Sequence, residues 1–334
     1  MTRARNLQVR YVNAPRGWVR EADFAVCEGE IPRAAEGEFV VANRYLSLDP
    51  YQRRQMMPGV EYATALRIGD VMVGRTVGEV IESRHPQYRV GEFVCGSLGW
   101  QQFSASDGAG VHKVDPQAAP LSAYLGVLGS PGLTAWVGLT SIARPQPHET
   151  VIVSAAAGAV GGVAGQIAKI AGCRAVGIAG GAAKCAFVVD TLGFDACVDY
   201  KAPQFREALA AATPAGIDVD FENVGGAVFD AVLERLNDYA RVALCGLVSQ
   251  YNLTAPYPMQ NLAALLNKNV MLQGFRVGNY QQHRPAAMND LAQWLADGRL
   301  KYRETVAAGL ADAPRAFVGM LRGENLGKQL VKIA

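Results

Sequence analysis

The sequence predicts an α/β protein of two domains, a β-rich domain followed by a doubly wound parallel sheet. Up to about residue 115, short β-rich runs are separated by Gly, Pro and Asp, which is typical of a compact all-β unit. From about Tyr124, strand-like runs alternate with helical segments, as parallel βαβ units require. A chain of 334 residues, half of them apolar, is long enough to bury two cores.

The first domain is predicted over residues 1–124. Its strand candidates lie in EFVVANRYLSL, GDVMVGRTVGEVIES and VGEFVCGSLGWQQFSAS. The tail from about 290 to 334 returns to mixed helix and strand, with DLAQWLADG and then KQLVKI, and is expected to complete this domain.

The second domain is predicted over residues 125–289, with six parallel strands. Their candidate segments are VIVS (from 151), RAVGIA (174), ACVDY (196), IDVDFEN (217), RVALCGLVS (241) and VMLQGFRV (270). GAVFDAVLERL and NLAALLNK place apolar residues three and four positions apart and predict crossover helices. This pattern indicates a doubly wound sheet.

The composition favours a small-molecule partner. The net charge is +2 without a Lys/Arg block, which argues against nucleic acid and an anionic membrane surface as partners. The N-terminus has no signal-peptide pattern and no run is long enough to span a bilayer, so a cytoplasmic location is expected. Six scattered cysteines without a C-x-x-C predict neither disulfides nor a metal site.

The stretch VIVSAAAGAVGG carries the strongest motif. Ala156, Gly158 and Gly161 form A-x-G-x-x-G between a predicted strand and a predicted helix. Such a turn lets a pyrophosphate approach the backbone and the helix N-terminus. The alternative explanation is that small residues only allow the helix to pack closely on the sheet.

The next strand favours NADP over NAD. A site for the unphosphorylated cofactor usually has Asp or Glu at the end of this strand, whereas RAVGIA is followed by Gly180, Gly181, two alanines and Lys184. Lys184 can neutralise a 2′-phosphate, with Tyr200 as a second donor. The alternative is that Lys184 is an ordinary exposed lysine at a helix start.

At these residues the chain resembles the zinc-independent medium-chain dehydrogenase/reductases, and within them the leukotriene B4 12-hydroxydehydrogenase/prostaglandin reductase group. Further matching segments follow in order along nearly the whole chain: LSLDPYQR (46–53), PGLTAW (131–136), DYK (199–201), FENVGG (221–226), LCGLVSQYN (244–252), GFRV (274–277) and GENLGKQLV (323–331). The resemblance implies a GroES-like β domain plus a Rossmann domain.

The resemblance also implies a set of NADPH-binding residues. For the pyrophosphate they are Gly158, Ala159, Val160 and Gly161, and for the 2′-phosphate Lys184 and Tyr200. For the ribose and nicotinamide they are Asn223, Cys245, Gly246, Ser249, Tyr251, Phe275, Val277 and Asn325. Asn223 and Asn325 can also be read as simple turn residues.

No metal is expected at the reaction centre. Zinc-dependent relatives carry a Gly-His-Glu motif where this chain reads MVGRTVGEV, with Arg75 among the glycines, and its four histidines are far apart. The resemblance implies that NADPH reduces the C=C bond of an α,β-unsaturated aldehyde or ketone by hydride transfer to the β carbon. Tyr251 is the first candidate to stabilise the developing enolate oxygen. Tyr51 is the second candidate and is expected mainly to shape the pocket. The proton for the α carbon comes from water or a tyrosine.

Two other functions stay open on sequence grounds. A quinone reductase of the zeta-crystallin type shares the fold and the cofactor, and a non-catalytic NADPH-binding protein is a third reading. Arg276 and the segment GVEYATAL (59–66) depart from the family pattern, so no particular enone is carried over. The resemblance implies a homodimer joined by edge strands of the nucleotide domain, with VMLQGFRV as the candidate segment.

Overall fold

The chain divides into two compact units in this computed structural model, which describes residues 5–57 and 66–333. The first unit comprises residues 1–126 and 304–334, and the second comprises residues 127–303. Of the segment 59–66, only Leu66 belongs to the described residues.

The strands of the described chain fall into two groups that match these units. In chain order they are β1 (Arg5–Tyr11), β2 (Phe24–Glu30), β3 (Phe39–Ser47), β4 (Thr76–Ser83), β5 (Phe93–Gly96), β6 (Phe103–Ser106), β7 (His112–Val114), β8 (Thr150–Ser154), β9 (Arg174–Ala179), β10 (Ala196–Asp199), β11 (Ile217–Glu222), β12 (Leu236–Leu244), β13 (Met271–Gly274), β14 (Glu304–Ala308) and β15 (Lys328–Lys332).

Most helices belong to the second unit, where they connect the strands. In chain order they are α1 (Tyr51–Gln55), α2 (Ser130–Val137), α3 (Gly161–Ile170), α4 (Ala182–Ala186), α5 (Phe205–Ala212), α6 (Gly226–Arg235), α7 (Ala263–Asn267), α8 (Arg284–Ala296) and α9 (Ala313–Leu321). Short helical turns lie at Glu21–Asp23, Leu121–Leu125, Gly138–Ala143, Phe187–Thr191, Val248–Gln250, Val277–His283 and Leu310–Asp312.

The first unit is organised around one mixed sheet. Its strands run in the order β14-β15-β3-β4-β5-β7, β6 also pairs with β3, and β1 and β2 form a separate antiparallel pair. The indole of Trp100 is fully buried, with Phe24 stacked on it at 5.4 Å and Phe317 edge-on at 5.6 Å. Phe317 comes from α9, so the tail of the chain is part of this core.

The second unit holds a six-stranded parallel sheet. Its strand order is β10-β9-β8-β11-β12-β13, which in chain order is the doubly wound 3-2-1-4-5-6 arrangement. Each predicted strand segment overlaps one of these strands, although β12 begins at Leu236, five residues before the predicted segment RVALCGLVS. β8 and β9 are buried almost throughout, as expected for parallel strands covered by helices on both faces.

The return of the chain to the first unit comes later than the predicted position near residue 290. That position lies inside α8, which packs on α2 of the second unit. Leu291 on α8 is fully buried, and Asp290 accepts a 2.8 Å hydrogen bond from the Trp136 indole on α2. These contacts hold α8 in the second unit, so the first unit resumes at Glu304.

Candidate functional site

The turn between β8 and α3 contains the glycine motif. Ala155 follows β8 with a φ of 51°, and α3 begins at Gly161. A Cβ at Gly161 would lie 2.4 Å from the carbonyl oxygen of Ala155, closer than any ordinary carbon contact. The turn therefore requires glycine here, because a side chain would force its backbone apart.

This turn leads into the electropositive end of a ten-residue helix. The first N–H groups of a helix have no partner within it, and the aligned peptide dipoles place a partial positive charge there. Gly158, Ala159 and Val160 immediately before the helix are partly exposed and carry only small or apolar side chains. The arrangement fits the phosphate groups of a dinucleotide.

Close packing of α3 is also present, against the loop before β10, but it depends on a different glycine. A Cβ at Gly165 would lie 1.8 Å from the ring of Phe194. The packing explanation thus applies one turn beyond the motif, whereas Gly161 is required by the turn itself.

Two lysines and a tyrosine lie together beyond β9 and β10. A Cβ at Gly180 would lie 2.8 Å from the ring of Tyr200 and 3.1 Å from Cε of Lys201. Lys184, on α4, lies nearby: burial lowers its pKa, and the positive charge of Lys201 lowers it further. The fold thus brings the two predicted 2′-phosphate residues, Lys184 and Tyr200, to the carboxyl ends of the neighbouring strands β9 and β10 and adds Lys201, which sequence reasoning missed.

Asp199 fixes the backbone of this cation cluster. One carboxylate oxygen accepts the N–H of Gly181 at 2.8 Å and the N–H of Lys201 at 2.9 Å. The carboxylate thereby joins the turn after β9 to the turn after β10. The segment DYK contained the signal for both Asp199 and Lys201, but only its tyrosine was assigned a role from the sequence.

Asn223 connects the carboxyl ends of β8 and β11. Its backbone N–H donates to the Ser154 hydroxyl at 2.7 Å, and its side-chain amide donates to the Ser154 carbonyl at 2.8 Å. Asn223 therefore holds the two strands at the point where the strand order of the sheet reverses, which is where doubly wound sheets bind ligands.

The loop from Cys245 to Tyr251 is bonded to the loop after β11. Val248 donates its N–H to the Asn223 carbonyl at 3.0 Å, and the Ser249 hydroxyl donates to the Val224 carbonyl at 2.6 Å. The Tyr251 hydroxyl accepts the N–H of Leu247 at 3.3 Å. A Cβ at Gly246 would lie 3.4 Å from that hydroxyl and 3.2 Å from the Asn223 carbonyl oxygen. Five predicted residues, Asn223, Cys245, Gly246, Ser249 and Tyr251, are thus brought into one pair of loops.

The residues after β13 have different surroundings. Phe275 is buried, and its ring packs edge-on against Phe221 at 6.3 Å and Tyr280 at 6.1 Å. Val277 is half-buried at the start of a helical turn, and Arg276 between them is exposed. Of these three side chains, Phe275 contributes most clearly to packing.

Tyr51 is the first residue of α1, in the first unit. A buried ion pair anchors the start of this helix: Nζ of Lys328 donates to Asp49 at 3.0 Å and to the Leu48 carbonyl at 2.6 Å. The Ser47 hydroxyl also donates to Asp49, at 2.5 Å. These bonds join the motif segments LSLDPYQR and GENLGKQLV, which are distant in sequence.

Arg75 brings a positive charge to the neighbourhood of Tyr51. Its guanidinium lies 3.9 Å from the sulfur of Cys95. Burial acts to lower the Arg75 pKa, but Cys95, Tyr51 and Asp49 outweigh it and raise the pKa. In the sequence, Arg75 is recognisable only as a replacement in the metal motif, and its proximity to Tyr51 has no local signal.

Asn325, predicted on the cofactor side, also lies in the first unit. Its amide donates to the carbonyl of Gly327 at 2.8 Å, in the turn before β15.

Over residues 5–57 and 66–333, no group of three or more His, Cys, Asp or Glu side chains is arranged to hold a metal ion. In the same residues, no helix is long and apolar enough to cross a membrane.

Comparison with known proteins identifies the family. Residues 8–114 match the model described as "N-terminal domain of oxidoreductase", and residues 159–296 match "Zinc-binding dehydrogenase". The chain is 43% identical over 336 residues to the NADPH-dependent curcumin reductase of Escherichia coli, covering 99% of this chain and 97% of that protein. It belongs to the zinc-independent medium-chain dehydrogenase/reductases. The resemblance seen in the sequence is thereby confirmed.

Two further members of the group agree over nearly their whole length. The NADP-dependent 2-alkenal reductase of Nicotiana tabacum is 39% identical, with 98% of each chain covered. The crystal structure of CurA from Vibrio vulnificus in complex with NADPH is 45% identical, with a TM-score of 0.94 and 99% of each chain covered. The family fold, a GroES-like β domain plus a doubly wound Rossmann domain, matches the two sheets described above and confirms the predicted fold class.

Proposed function

We propose that this protein uses NADPH to reduce the C=C bond of α,β-unsaturated aldehydes and ketones. The observation that carries the proposal is the cluster of Lys184, Tyr200 and Lys201 at the turn where NADP-dependent enzymes of this fold hold the 2′-phosphate. The full-length similarity to a curcumin reductase and a 2-alkenal reductase, both NADP-dependent by name, supports the same activity.

The described residues fit the cofactor along the carboxyl edge of the parallel sheet. The turn from Gly158 to Gly161 offers backbone N–H groups to the pyrophosphate, without a side chain in the way. Asn223 and the loop from Cys245 to Tyr251 offer polar groups to the ribose and nicotinamide side, with Phe275, Val277 and Asn325 as further predicted contacts. Bound NADPH would supply the hydride for the β carbon.

Tyr251 is proposed to act on the substrate carbonyl, and Tyr51 is the second candidate. As the C=C bond is reduced, negative charge develops on the carbonyl oxygen, and a hydroxyl that donates to this oxygen stabilises the transition state. The bond from the Leu247 N–H holds the Tyr251 hydroxyl in place. The positive charge of Arg75 near Tyr51 favours donation by the Tyr51 phenol. The proton for the α carbon comes from water or from one of these hydroxyls.

The direct test is NADPH consumption at 340 nm with a panel of linear 2-alkenals, alkenones, aryl enones and simple quinones, with NADH in parallel. We expect turnover of the enones, with a saturated carbonyl compound as the product. Turnover of quinones alone would replace the proposal with a quinone reductase, and tight NADPH binding without any turnover would make the protein a nucleotide-binding protein.

We also propose that the protein is a homodimer joined through β13. This strand lies at the edge of the parallel sheet, and all four of its residues are exposed, in contrast to the buried β8. Met271 is 44% exposed and Leu266 on the adjoining α7 is 82% exposed, so an apolar surface borders an unpaired strand edge. Light scattering should give a dimer mass, and Leu272→Lys should lower that mass to a monomer.

A cytoplasmic location is proposed on the chemistry of the cysteines. All six are free thiols, although Cys185 and Cys197 are close enough to share a hydrogen bond. Thiols that stay unpaired at such a distance are typical of a reducing compartment. Fractionation of the producing cells should place the protein with the cytosol.

A further inference from the structure

Two buried carboxyl groups at the end of β11 have no role in the proposed reaction. Asp220 and Glu222 are both fully buried, and alternate residues of a strand point to the same face. Both oxygens of Asp220 and one oxygen of Glu222 have no hydrogen-bond partner among the described residues. Burying carboxyl groups in this way is costly, so their surroundings indicate what they do.

The other oxygen of Glu222 holds the loop that contains Asn223. It accepts the N–H of Val224 at 2.5 Å and the N–H of Gly225 at 2.6 Å. The Ser154 hydroxyl also bonds to the Glu222 carboxyl group, and it accepts the N–H of Asn223 at 2.7 Å. One side chain thus organises three consecutive residues after the strand.

The backbone of the same segment holds the second loop. The Glu222 carbonyl accepts the N–H groups of Cys245 at 2.8 Å and Gly246 at 3.1 Å. Asn223 and Val224 then accept from Val248 and Ser249, as described above. The position of the loop 245–251 therefore depends on the conformation that Glu222 imposes on residues 222–225.

We propose that Glu222 is a positioning residue for NADPH, which holds the loops 223–226 and 245–251 in the binding conformation more firmly when its carboxyl group is ionised. The inference rests on the proposed function, because it assigns these loops to the cofactor. A carboxylate accepts N–H bonds more strongly than a neutral carboxyl group does. Ionisation therefore favours the ordered loops, and NADPH affinity is expected to rise with pH through the neutral range.

The electrostatics place this ionisation near neutrality. Burial raises the pKa of Glu222 to about 7, although the bonds from Gly225, Val224 and Ser154 act to lower it. Burial also raises the pKa of Asp220, and the negative charge of Glu222 raises it further. Burial and Glu222 raise the pKa of Cys245 to about 12, so this thiol stays neutral.

The elements packed against β11 bring no other titratable group into play. The helical turn Gly138–Ala143 contains no charged residue, and β8 contributes only Ser154. On α6, Asp230 is occupied by the N–H groups of Gln260 and Asn261. The remaining charged or titratable groups of α6 and β12 are Glu234, Arg235, Asp238, Tyr239 and Arg241. In the register of the sheet, Arg241 lies opposite Val219 and is paired with Glu149.

The test compares NADPH dissociation constants of the wild-type protein and Glu222→Gln from pH 6 to pH 8.5, measured by NADPH fluorescence. Glutamine keeps the same accepting oxygen but cannot ionise. At pH 6, where Glu222 is mostly protonated, the two proteins should bind alike. At pH 8.5 the variant should bind about five-fold more weakly, because it lacks the charge-assisted bonds. The ionisation of the 2′-phosphate and of Lys184 is common to both proteins and cancels in the ratio.

A ratio that does not change with pH would overturn the inference. Glu222→Ala removes the acceptor altogether and should bind NADPH about ten-fold more weakly than the wild-type protein at pH 6, with a larger loss at pH 8.5. Binding by the folded alanine variant at wild-type strength would also overturn it. If the wild-type protein itself fails to bind NADPH, the proposed function fails, and this inference fails with it. That outcome is distinguishable because it appears without any substitution.

Discussion

The carboxyl edge of the parallel sheet differs in charge and burial between its two sides. Beyond β9 and β10, Lys184 is a partly exposed cation and Lys201 an exposed one, and Asp199 accepts the backbone N–H groups of Gly181 and Lys201. Beyond β11, Asp220 and Glu222 are fully buried carboxyl groups. The glycine turn after β8 lies between these two sides, because β8 is paired to both β9 and β11. The exposed side is suited to attract a charged group, and the buried side to hold loops in position.

Substitutions in the glycine turn after β8, which lies between the two sides, are expected to have the largest effect, on NADPH affinity. Gly161→Ala places a Cβ 2.4 Å from the Ala155 carbonyl oxygen, so the turn must move. We therefore expect NADPH affinity to fall about 100-fold or more. Each factor of ten in affinity corresponds to about 1.4 kcal/mol of binding free energy. Gly158→Ala is the graded control, because its Cβ would lie 3.1 Å from the same oxygen, and titration should show a smaller loss. Equal losses for the two variants would contradict the steric argument.

Substitutions of the two tyrosines separate an effect on kcat from an effect on NADPH binding. Tyr251→Phe removes one hydroxyl from the loop held by Glu222, and it should lower kcat for an enone by about 30-fold while the NADPH dissociation constant changes little. Tyr51→Phe should lower kcat less, by about five-fold, if its role is mainly to shape the pocket. Steady-state kinetics with a 2-alkenal measure both. An unchanged kcat for Tyr251→Phe removes it from the mechanism.

The side with Lys184 and Lys201 is tested by comparing the affinities for NADPH and NADH. Lys184→Ala and Lys201→Ala should each weaken NADPH binding by about ten-fold and leave NADH binding unchanged, because each lysine would neutralise part of the 2′-phosphate charge. Lys169→Ala is the matched control, since this lysine of the same unit is paired with Asp195 at 2.8 Å. Equal losses for NADPH and NADH would show that the lysines do not recognise the phosphate.

The buried side gives the smallest expected effect, on stability. Burial raises the pKa of Asp220 above its value in the unfolded chain. The folded state therefore binds more protons, and stability that is present at low pH is lost as pH rises towards the folded pKa. Asp220→Asn removes this loss. The free energy of unfolding of the variant minus that of the wild-type protein should therefore increase by about 1 kcal/mol or more from pH 5.5 to pH 8.5. Urea denaturation at the two pH values measures the change, with the exposed Asp190→Asn as the control.

Sequence reasoning predicted the residues that depend on local patterns. The six strand segments were recognisable because alternating strand and helix lengths are local features. The glycine turn and the missing acid after β9 were recognisable because their spacing to the strand is short and constant. Lys184 and Tyr200 were found on the same grounds and through the resemblance. Their roles in binding stay predictions until the variants are measured.

The residues that sequence reasoning missed depend on contacts between distant segments. Lys201 and Asp199 acquire a role only because β10 lies beside β9 in the sheet. Arg75 is 24 positions from Tyr51 in sequence, yet their charges interact. The late return of the chain at Glu304 was missed for the same reason, since the packing of α8 on α2 joins segments far apart in sequence.

The sequence by itself determined the strand segments of the parallel sheet and the glycine turn, and it placed a lysine where a 2′-phosphate is predicted, because these features depend on residue types at short spacings. Only the tertiary structure decided in which direction the pKa values of the buried carboxyl groups shift. The aspartate and glutamate of the run DFE are ordinary acids in an unfolded chain, with carboxyl groups ionised at neutral pH. They hold protons to higher pH in the folded protein because the helices and strands around β11 exclude water from them. Desolvation depends on the whole surrounding fold, and no local pattern of residues encodes it.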